Sequence, residues 1–333
     1  MGVDVSIIIS ERGEVGNLIW TLQTLEQELS KGPYTYEYII VVNGDEEEDP
    51  TLRNADGTHR THGYAWLKKK WPWIAGFGHL IYRTPGGIYQ ARNLGAERAS
   101  GRLFWFLDAH TMPVPGHYLK MIELYDQFPP SVWHMGLRYF LDKPNRVVFG
   151  YRWKSDMFWG SWTRTPPVPP EYRILMNGGA CILLHRDIWF EIGGYNKGLG
   201  IYGGGEPYTD MKAQMYGYRV RSHPDFQYYH LAIQRGYYWY QTDMWRNFMI
   251  TSYSLGGPKY FDKVYASYYD KCKGNPEWMK VLEEARDQAL SFGIPDFEKT
   301  SREAKFTMDE VLADWREYAL RHGMIEEAKI VPD

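Results

Sequence analysis

The amino-acid sequence predicts an α/β fold with a helical C-terminal part. Apolar strand segments, including Val5–Ile9 and Leu103–Leu107, alternate with helical segments in the first half of the chain. A length of 333 residues suffices for one large α/β domain and an appended piece. The appended piece is indicated from Asn275 onward, where two amphipathic patterns predict helices.

The chain opens with a strand, a polar loop and an amphipathic helix. Val5–Ile9 is too short for a signal sequence or a membrane span, so we interpret it as a core strand and expect no membrane span. The next strand, Tyr38–Val42, ends in the polar loop Asn43–Asp45. The acidic residues 46–49 are interpreted as a solvated loop, and residues 50–83 as an elaboration of this half of the fold.

The segment from Gly86 to His110 gives the strongest indication of a site. Small side chains recur along residues 91–99, which predicts a helix that lies close to a sheet. The strand Leu103–Leu107 then leads into Asp108 and His110, and ligands of open α/β sheets collect at such strand ends. Residues two apart on an extended chain point the same way, so this pair can share one divalent ion. The alternative is a turn-capping carboxylate beside a surface histidine.

A second polar block follows in the middle of the chain. Asn177–Gly179 predicts a loop that enters the buried strand Ala180–Leu184. The glycine run Gly203–Gly205 allows close approach of a ligand to the backbone, and it precedes Glu206 and Asp210. These two acids share one face of a predicted helix. Either of them can act as a general base, and either can cap the helix N-terminus.

Charge and cysteine content narrow the class of protein. The net charge is −3, so no global basic field recruits nucleic acid. The two cysteines, Cys181 and Cys272, lack a metal-type spacing. We therefore expect a cytoplasmic protein without a disulfide framework.

Taken in order, these motifs resemble the GT-A glycosyltransferases, close to glycosyltransferase family 2 and the polypeptide N-acetylgalactosaminyltransferases. The family pattern G-x-x-x-A-R-N-x-G, then A-x-G, then an apolar strand ending in Asp-x-Asp or Asp-x-His is matched from Gly87 to His110. In the opening motif Glu14, Asn17 and Leu18 match, whereas Ser10 stands where the family has Pro.

The resemblance implies a GT-A fold, which is Rossmann-like with a mostly parallel central sheet flanked by helices, and a C-terminal helical extension. We expect a catalytic domain at residues 1–240, with a nucleotide-binding half at 1–115 and an acceptor half at 116–240. The extension would cover residues 241–333.

The implied function is metal-dependent transfer of a sugar from a nucleotide diphosphate sugar, a UDP-sugar above all, to a hydroxyl acceptor. The acceptor stays open among a glycan, a protein, a small molecule and a modified nucleic-acid base. Rings and cations interleave between Trp133 and Arg164, which suits either an acceptor wall or packing against the sheet. The alternatives are a non-catalytic carbohydrate- or nucleotide-sugar-binding protein on the same fold, and a nucleotidyltransferase.

The resemblance also implies roles for individual residues. Asp108, His110 and His230 would bind Mn²⁺ or Mg²⁺, with His223 as the alternative to His230. Glu206 or Asp210 would be the base if the reaction inverts the anomeric carbon, and the stereochemical outcome stays open. The expected donor-binding residues are Ser10, Glu11, Arg12, Asn43, Asp45, Arg92, Asn93, Asp108, Ala109, Gly178 and Gly179.

Overall fold

A computed structural model describes most of the chain. The described residues are 2–43, 78–83, 87–140, 146–154, 161–231 and 240–329. The acidic run 46–49 and residues 50–77 lie outside them. The chain divides into two compact units, each assembled from separate stretches. The first unit comprises Met1–Val148, Gly179–Trp189 and His223–Tyr238, and the second comprises Phe149–Gly178, Phe190–Ser222 and Trp239–Asp333.

The first unit is built on a large β-sheet, as an α/β fold requires. Within the described residues the sheet has nine strands, in the order β3-β2-β1-β4-β10-β6-β11-β5, with β7 beside β6. The strands are β1 (Val5–Glu11), β2 (Tyr36–Asn43), β3 (Gly78–Arg83), β4 (Leu103–Asp108), β5 (Thr111–Pro113), β6 (Ser131–Tyr139), β7 (Val147–Val148), β10 (Cys181–His185) and β11 (Arg219–His230). A short hairpin of β8 (Gly150–Tyr151) and β9 (Trp162–Thr163) belongs to the second unit.

The strands β3, β2, β1 and β4 form the parallel half of this sheet. Every residue of β4 is buried, and β1 is apolar along Ile7–Ile9, because helices cover both faces of a parallel sheet. Ser10 of β1 pairs in register with Asp108 of β4. The carboxyl ends of these strands therefore meet at one edge, where the sequence predicted a site.

Helices α1 (Val15–Leu29), α2 (Ile88–Arg98) and α3 (His117–Tyr125) belong to the first unit. The small residues of α2 bring it close to the sheet, as the sequence predicted. A Cβ atom added at Gly95 would lie 2.5 Å from Cγ2 of Ile8 in β1. The distance leaves no room for a side chain at that position.

The C-terminal part of the chain is helical, which confirms the expected extension. The remaining helices are α4 (Arg186–Glu191), α5 (Glu206–Met215), α6 (Gln241–Cys272), α7 (Pro276–Glu303), α8 (Met308–Arg321) and α9 (Ile325–Ala328). Thr307 and Glu310 form a capping box at the start of α8. Among the helices of the described residues, none has both the length and the apolar character needed to cross a bilayer.

The close packing of α2 predicts the effect of a one-carbon change. Gly95→Ala is expected to lower the free energy of unfolding by about 1–3 kcal/mol, because its methyl group overlaps Ile8. Urea denaturation measures this difference. Gly16→Ala in α1 is the matched control, since an added Cβ there meets nothing within 4 Å. Alanine is the better helix former, so the control should raise stability by up to about 1 kcal/mol. Equal effects of the two variants would contradict the packing of α2.

Candidate functional site

Asp108, His110 and His230 come together in the first unit. Asp108 ends β4, and the short strand β5 that follows pairs antiparallel with the end of β11, which sets His230 opposite Thr111. Oδ2 of Asp108 lies 3.8 Å from Nε2 of His110 and 3.6 Å from Nε2 of His230. The two Nε2 atoms are 3.1 Å apart. All three side chains are at most 13% exposed, so the cluster is shielded from bulk water.

The three ligand atoms are close enough to share one divalent cation after a small inward movement of Asp108. Ligands about 2.1 Å from a metal lie roughly 3.0–3.5 Å from one another at octahedral or tetrahedral angles. The separation of the two Nε2 atoms falls in this range, and the two separations to Oδ2 of Asp108 lie slightly above it. The donor set of one carboxylate and two imidazoles suits Mn²⁺ better than Ca²⁺. Of the two candidate histidines on β11, His230 belongs to this cluster. The ring of His223 instead stacks on Phe226, and its Nδ1 accepts a hydrogen bond from the backbone N–H of Asp225.

Arg92 holds the other oxygen of Asp108. Its guanidinium donates to Oδ1 at 2.8 Å, and the side chain is only 1% exposed. Burial by itself raises the pKa of Asp108, but the hydrogen bond with His230 and the charge of Arg92 hold that pKa well below its usual range. Asp108 is therefore ionised at neutral pH. Arg92 was expected to bind the donor, and in the structure its guanidinium contacts Oδ1 of Asp108, while Oδ2 faces the histidines.

Gly179 makes room for that guanidinium. A Cβ atom at position 179 would lie 2.6 Å from Nη1 of Arg92. Gly179 was expected to border the donor. In the structure its lack of a side chain leaves the space that the guanidinium of Arg92 occupies. Gly178 lies in the second unit, where its N–H donates to Oδ1 of Asn177 and a Cβ would meet the ring of Trp162 at 3.0 Å.

Glu14 is a site residue that sequence reasoning did not assign. Its Oε2 lies 2.6 Å from Nδ1 of His110, and both side chains are 7% exposed. A carboxylate accepts, so Nδ1 of His110 carries a proton, and Nε2 is the ring nitrogen that faces Asp108 and His230. The signal in the sequence was the match of Glu14 to the opening motif. That match did not place Glu14 beside His110, which lies 96 positions further along the chain.

The residues expected to bind the nucleoside lie around the same sheet edge. Glu11 is buried and accepts the backbone N–H of Glu14 at 2.5 Å, so it fixes the loop that carries Glu14. Arg12 and Asn43 are buried at the ends of β1 and β2. Ser10 is half-buried in register with Asp108. Asp45 lies outside the described residues.

The two remaining donor-binding candidates flank the cluster. Asn93 lies on α2 one residue after Arg92, is half-buried and contacts Gln90 at 3.4 Å. Ala109 is buried between two of the cluster residues, and its carbonyl oxygen accepts the hydroxyl of Thr21 at 2.8 Å. The bond to Thr21 ties the turn between Asp108 and His110 to α1.

Glu206 and Asp210 lie one turn apart on α5 of the second unit. Asp210 is fully buried, and its Oδ2 accepts the backbone N–H of Asn177 at 2.7 Å. It therefore fixes the loop that contains Asn177 and Gly178. Glu206 is half-buried at the first position of the helix. Of the two candidate bases, Glu206 is the more accessible to a substrate.

Comparison with known proteins identifies relatives of this chain. Residues 6–192 match the sequence family described as glycosyl transferase family 2. A Drosophila melanogaster protein assigned as polypeptide N-acetylgalactosaminyltransferase 13 is 27% identical over 218 residues, which cover 60% of this chain and 37% of that protein. Polypeptide N-acetylgalactosaminyltransferase 8 of the same organism is 25% identical over 231 residues, 66% of this chain and 36% of that protein. The chain thus spans little more than a third of the length of the curated relatives it matches.

Two solved structures share the fold. The crystal structure of GalNAc-T7 with UDP, GalNAc and Mn²⁺ superposes with a TM-score of 0.64 at 18% identity, covering 86% of this chain and 55% of that one. The structure of S. aureus TarS residues 1–349 with UDP-GlcNAc superposes with a TM-score of 0.50 at 14% identity, covering 98% and 90%. These likenesses confirm the predicted GT-A fold.

The contact of Glu14 with His110 predicts a change in cation affinity. Glu14→Ala is expected to weaken Mn²⁺ binding by about 10–100-fold, because His110 loses the partner that orients its ring. Glu14→Gln keeps an acceptor oxygen and should lose less. Electron paramagnetic resonance of free Mn²⁺ measures both. Glu97→Ala, on the exposed face of α2, is the control and should bind like the unaltered chain. Unchanged affinity in Glu14→Ala would remove the assigned role.

Proposed function

Because this chain belongs to glycosyl transferase family 2, we propose that it transfers the sugar of a nucleotide diphosphate sugar to a hydroxyl acceptor with the help of a divalent cation. The observation that carries the proposal is the convergence of Asp108, His110 and His230 on one point at the carboxyl edge of the sheet. GalNAc-T7 is solved with UDP, GalNAc and Mn²⁺, and TarS with UDP-GlcNAc. These ligands favour a UDP-sugar as donor and Mn²⁺ as cation, with Mg²⁺ as the alternative.

Each residue of the cluster has a defined task in this proposal. Oδ2 of Asp108 and the Nε2 atoms of His110 and His230 would bind the cation. When bound, the cation neutralises the charge that develops on the leaving diphosphate. Arg92 keeps Asp108 ionised and fixes the direction of its free oxygen. Glu14 keeps the proton of His110 on Nδ1, away from the cation.

We assign the nucleoside of the donor to the ends of β1 and β2. Ser10, Arg12 and Asn43 lie there, and parallel strands direct their terminal residues to a common crevice. Glu11 supports this region indirectly, since its carboxylate accepts the backbone of Glu14. The proposal specifies the acceptor only as a hydroxyl compound. Its candidates are a glycan, a protein, a small molecule and a modified nucleic-acid base.

For transfer with inversion of the anomeric carbon, we assign the role of general base to Glu206. A base that removes the proton of an acceptor hydroxyl must reach that hydroxyl directly or through one water. Glu206 is half-buried, whereas Asp210 is fully buried and holds the backbone of Asn177. Asp210 therefore acts as a structural residue of the loop at Asn177 and Gly178.

Loss of the Asp108 carboxylate is expected to abolish donor turnover. Asp108→Ala should reduce Mn²⁺-dependent release of UDP from UDP-GalNAc or UDP-GlcNAc by at least about 100-fold, because stabilisation of the leaving diphosphate is lost. A coupled assay for UDP measures the rate. Asp187→Ala is the control, since that carboxylate is 79% exposed on α4 and should leave the rate unaltered. Full activity of Asp108→Ala would contradict the cation site.

The two acids of α5 are distinguished by their amide variants. Glu206→Gln should lower the rate of sugar transfer by about 100–10,000-fold, the usual contribution of a general base, with little change in stability. Asp210→Asn retains an acceptor oxygen for Asn177 and should keep most of the activity. Transfer rates and melting temperatures are measured side by side. Full activity of Glu206→Gln would exclude it as the base.

A further inference from the structure

A cavity of about 310 Å³ opens beside the candidate cation site, within the first unit. His110 lines this cavity and also belongs to the cation-binding cluster. The cavity and the proposed cation site therefore share the side chain of His110. The volume is at the lower end of the range of small-molecule sites, about 300–1,000 Å³.

The walls of the cavity are attached to the cation-binding segments by hydrogen bonds. The backbone N–H of Phe140 donates to the carbonyl of His230 at 3.3 Å, and the N–H of Leu231 donates to the carbonyl of His110 at 3.1 Å. On the α1 side, the hydroxyl of Thr21 donates to the carbonyl of Ala109. Three walls are thus fixed to the chain segments that carry the proposed ligands. A molecule bound in the cavity has a defined position relative to the cation.

The lining is dominated by apolar side chains with two large rings. Trp20 of α1 is 64% exposed and Phe140 is 42% exposed, although such rings are normally buried in a soluble protein. Met112 and Leu231 add further apolar surface to the lining. The exposed rings of Trp20 and Phe140 offer faces for stacking on a flat ring.

Among the described residues of the lining, few polar groups are available to a ligand. The hydroxyl of Thr21 is engaged with Ala109, and both ring nitrogens of His110 are engaged with Glu14 and the cluster. The carboxamide of Asn17 contributes the main polar group at this wall. A sugar ring with several hydroxyl groups would leave most of them without partners here, which costs free energy. An aromatic ring has no hydroxyl groups, so its binding in this cavity leaves no hydrogen-bonding group without a partner.

We propose that this cavity binds an aryl group of the acceptor, with the acceptor hydroxyl on the cation side of His110. The assignment of the bound molecule as an acceptor rests on the proposed function, whereas the preference for an aryl group rests on the lining. The substrate class is therefore an aryl-substituted hydroxyl compound, such as an aryl glycoside or a tyrosine-like side chain.

Binding of a matched pair of probes tests the proposal. Phenyl β-D-glucoside and methyl β-D-glucoside differ only in the aryl group, and saturation-transfer NMR measures the affinity of the whole chain for each. The phenyl compound should bind more tightly than the methyl compound. Trp20→Ala and Phe140→Ala should each weaken phenyl binding by about 3–10-fold, the range for loss of one ring–ring contact. Both rings are exposed, so circular dichroism should show folded variants.

Two controls separate the proposal from its premise. Trp278→Ala removes a ring of α7 that is 48% exposed outside the cavity, and it should leave phenyl binding unaltered. Asp108→Ala, or Asp108→Asn where loss of the Arg92 partner unfolds the alanine variant, should lose donor turnover and keep phenyl binding, with circular dichroism as the check on folding. Equal affinity for the two probes, or an equal loss in Trp278→Ala and Trp20→Ala, would overturn the aryl site and leave the proposed function standing. Donor turnover by Asp108→Ala would contradict the proposed function and would leave the result on phenyl binding unaffected.

Discussion

The buried ion pair of Arg92 and Asp108 is the interaction on which the candidate site depends. The carboxylate of Asp108 is only 9% exposed, and it stays ionised because His230 and the permanent positive charge of Arg92 stabilise its charged form. The pair also sets direction, because Oδ1 is occupied by the guanidinium and Oδ2 faces His110 and His230. Removing one partner alone would leave an uncompensated charge in the interior.

Several elements of the fold serve this ion pair. The small residues of α2 let the helix lie against β1, which brings Arg92 to the end of β4. Gly179 leaves the space that the guanidinium occupies. Glu11 holds the backbone of Glu14, and Glu14 holds His110. The cluster is therefore positioned by a set of buried polar contacts that extends from the loop after β1 to the end of β11.

The sequence predicted the parts of the site that depend on local pattern. Apolar residues predicted the strand that ends at Asp108, and small residues predicted the helix that precedes this strand. The family motif spans both elements. The choice of His230 over His223 rested on the motif alone, because the pairing of β5 with β11 is a long-range contact. Glu11 ends β1 and Glu14 lies in the loop that follows, and the partners of both are set by tertiary packing, so no periodicity pointed to their roles. The burial that separates Glu206 from Asp210 likewise arises from the contact with Asn177.

The first unit is made of three stretches of chain, and the last of them, His223–Tyr238, follows most of the second unit's own segments. During synthesis the ribosome therefore releases β1, β2 and β4 long before the strand that carries His230. The family match ends at residue 192, so a fragment that ends there would contain Asp108 and His110 but not His230. Neither unit is a continuous piece of polypeptide that a single cleavage can release, and the proposed cation site is complete only after the chain has been synthesised through residue 230 and β11 has paired with β5.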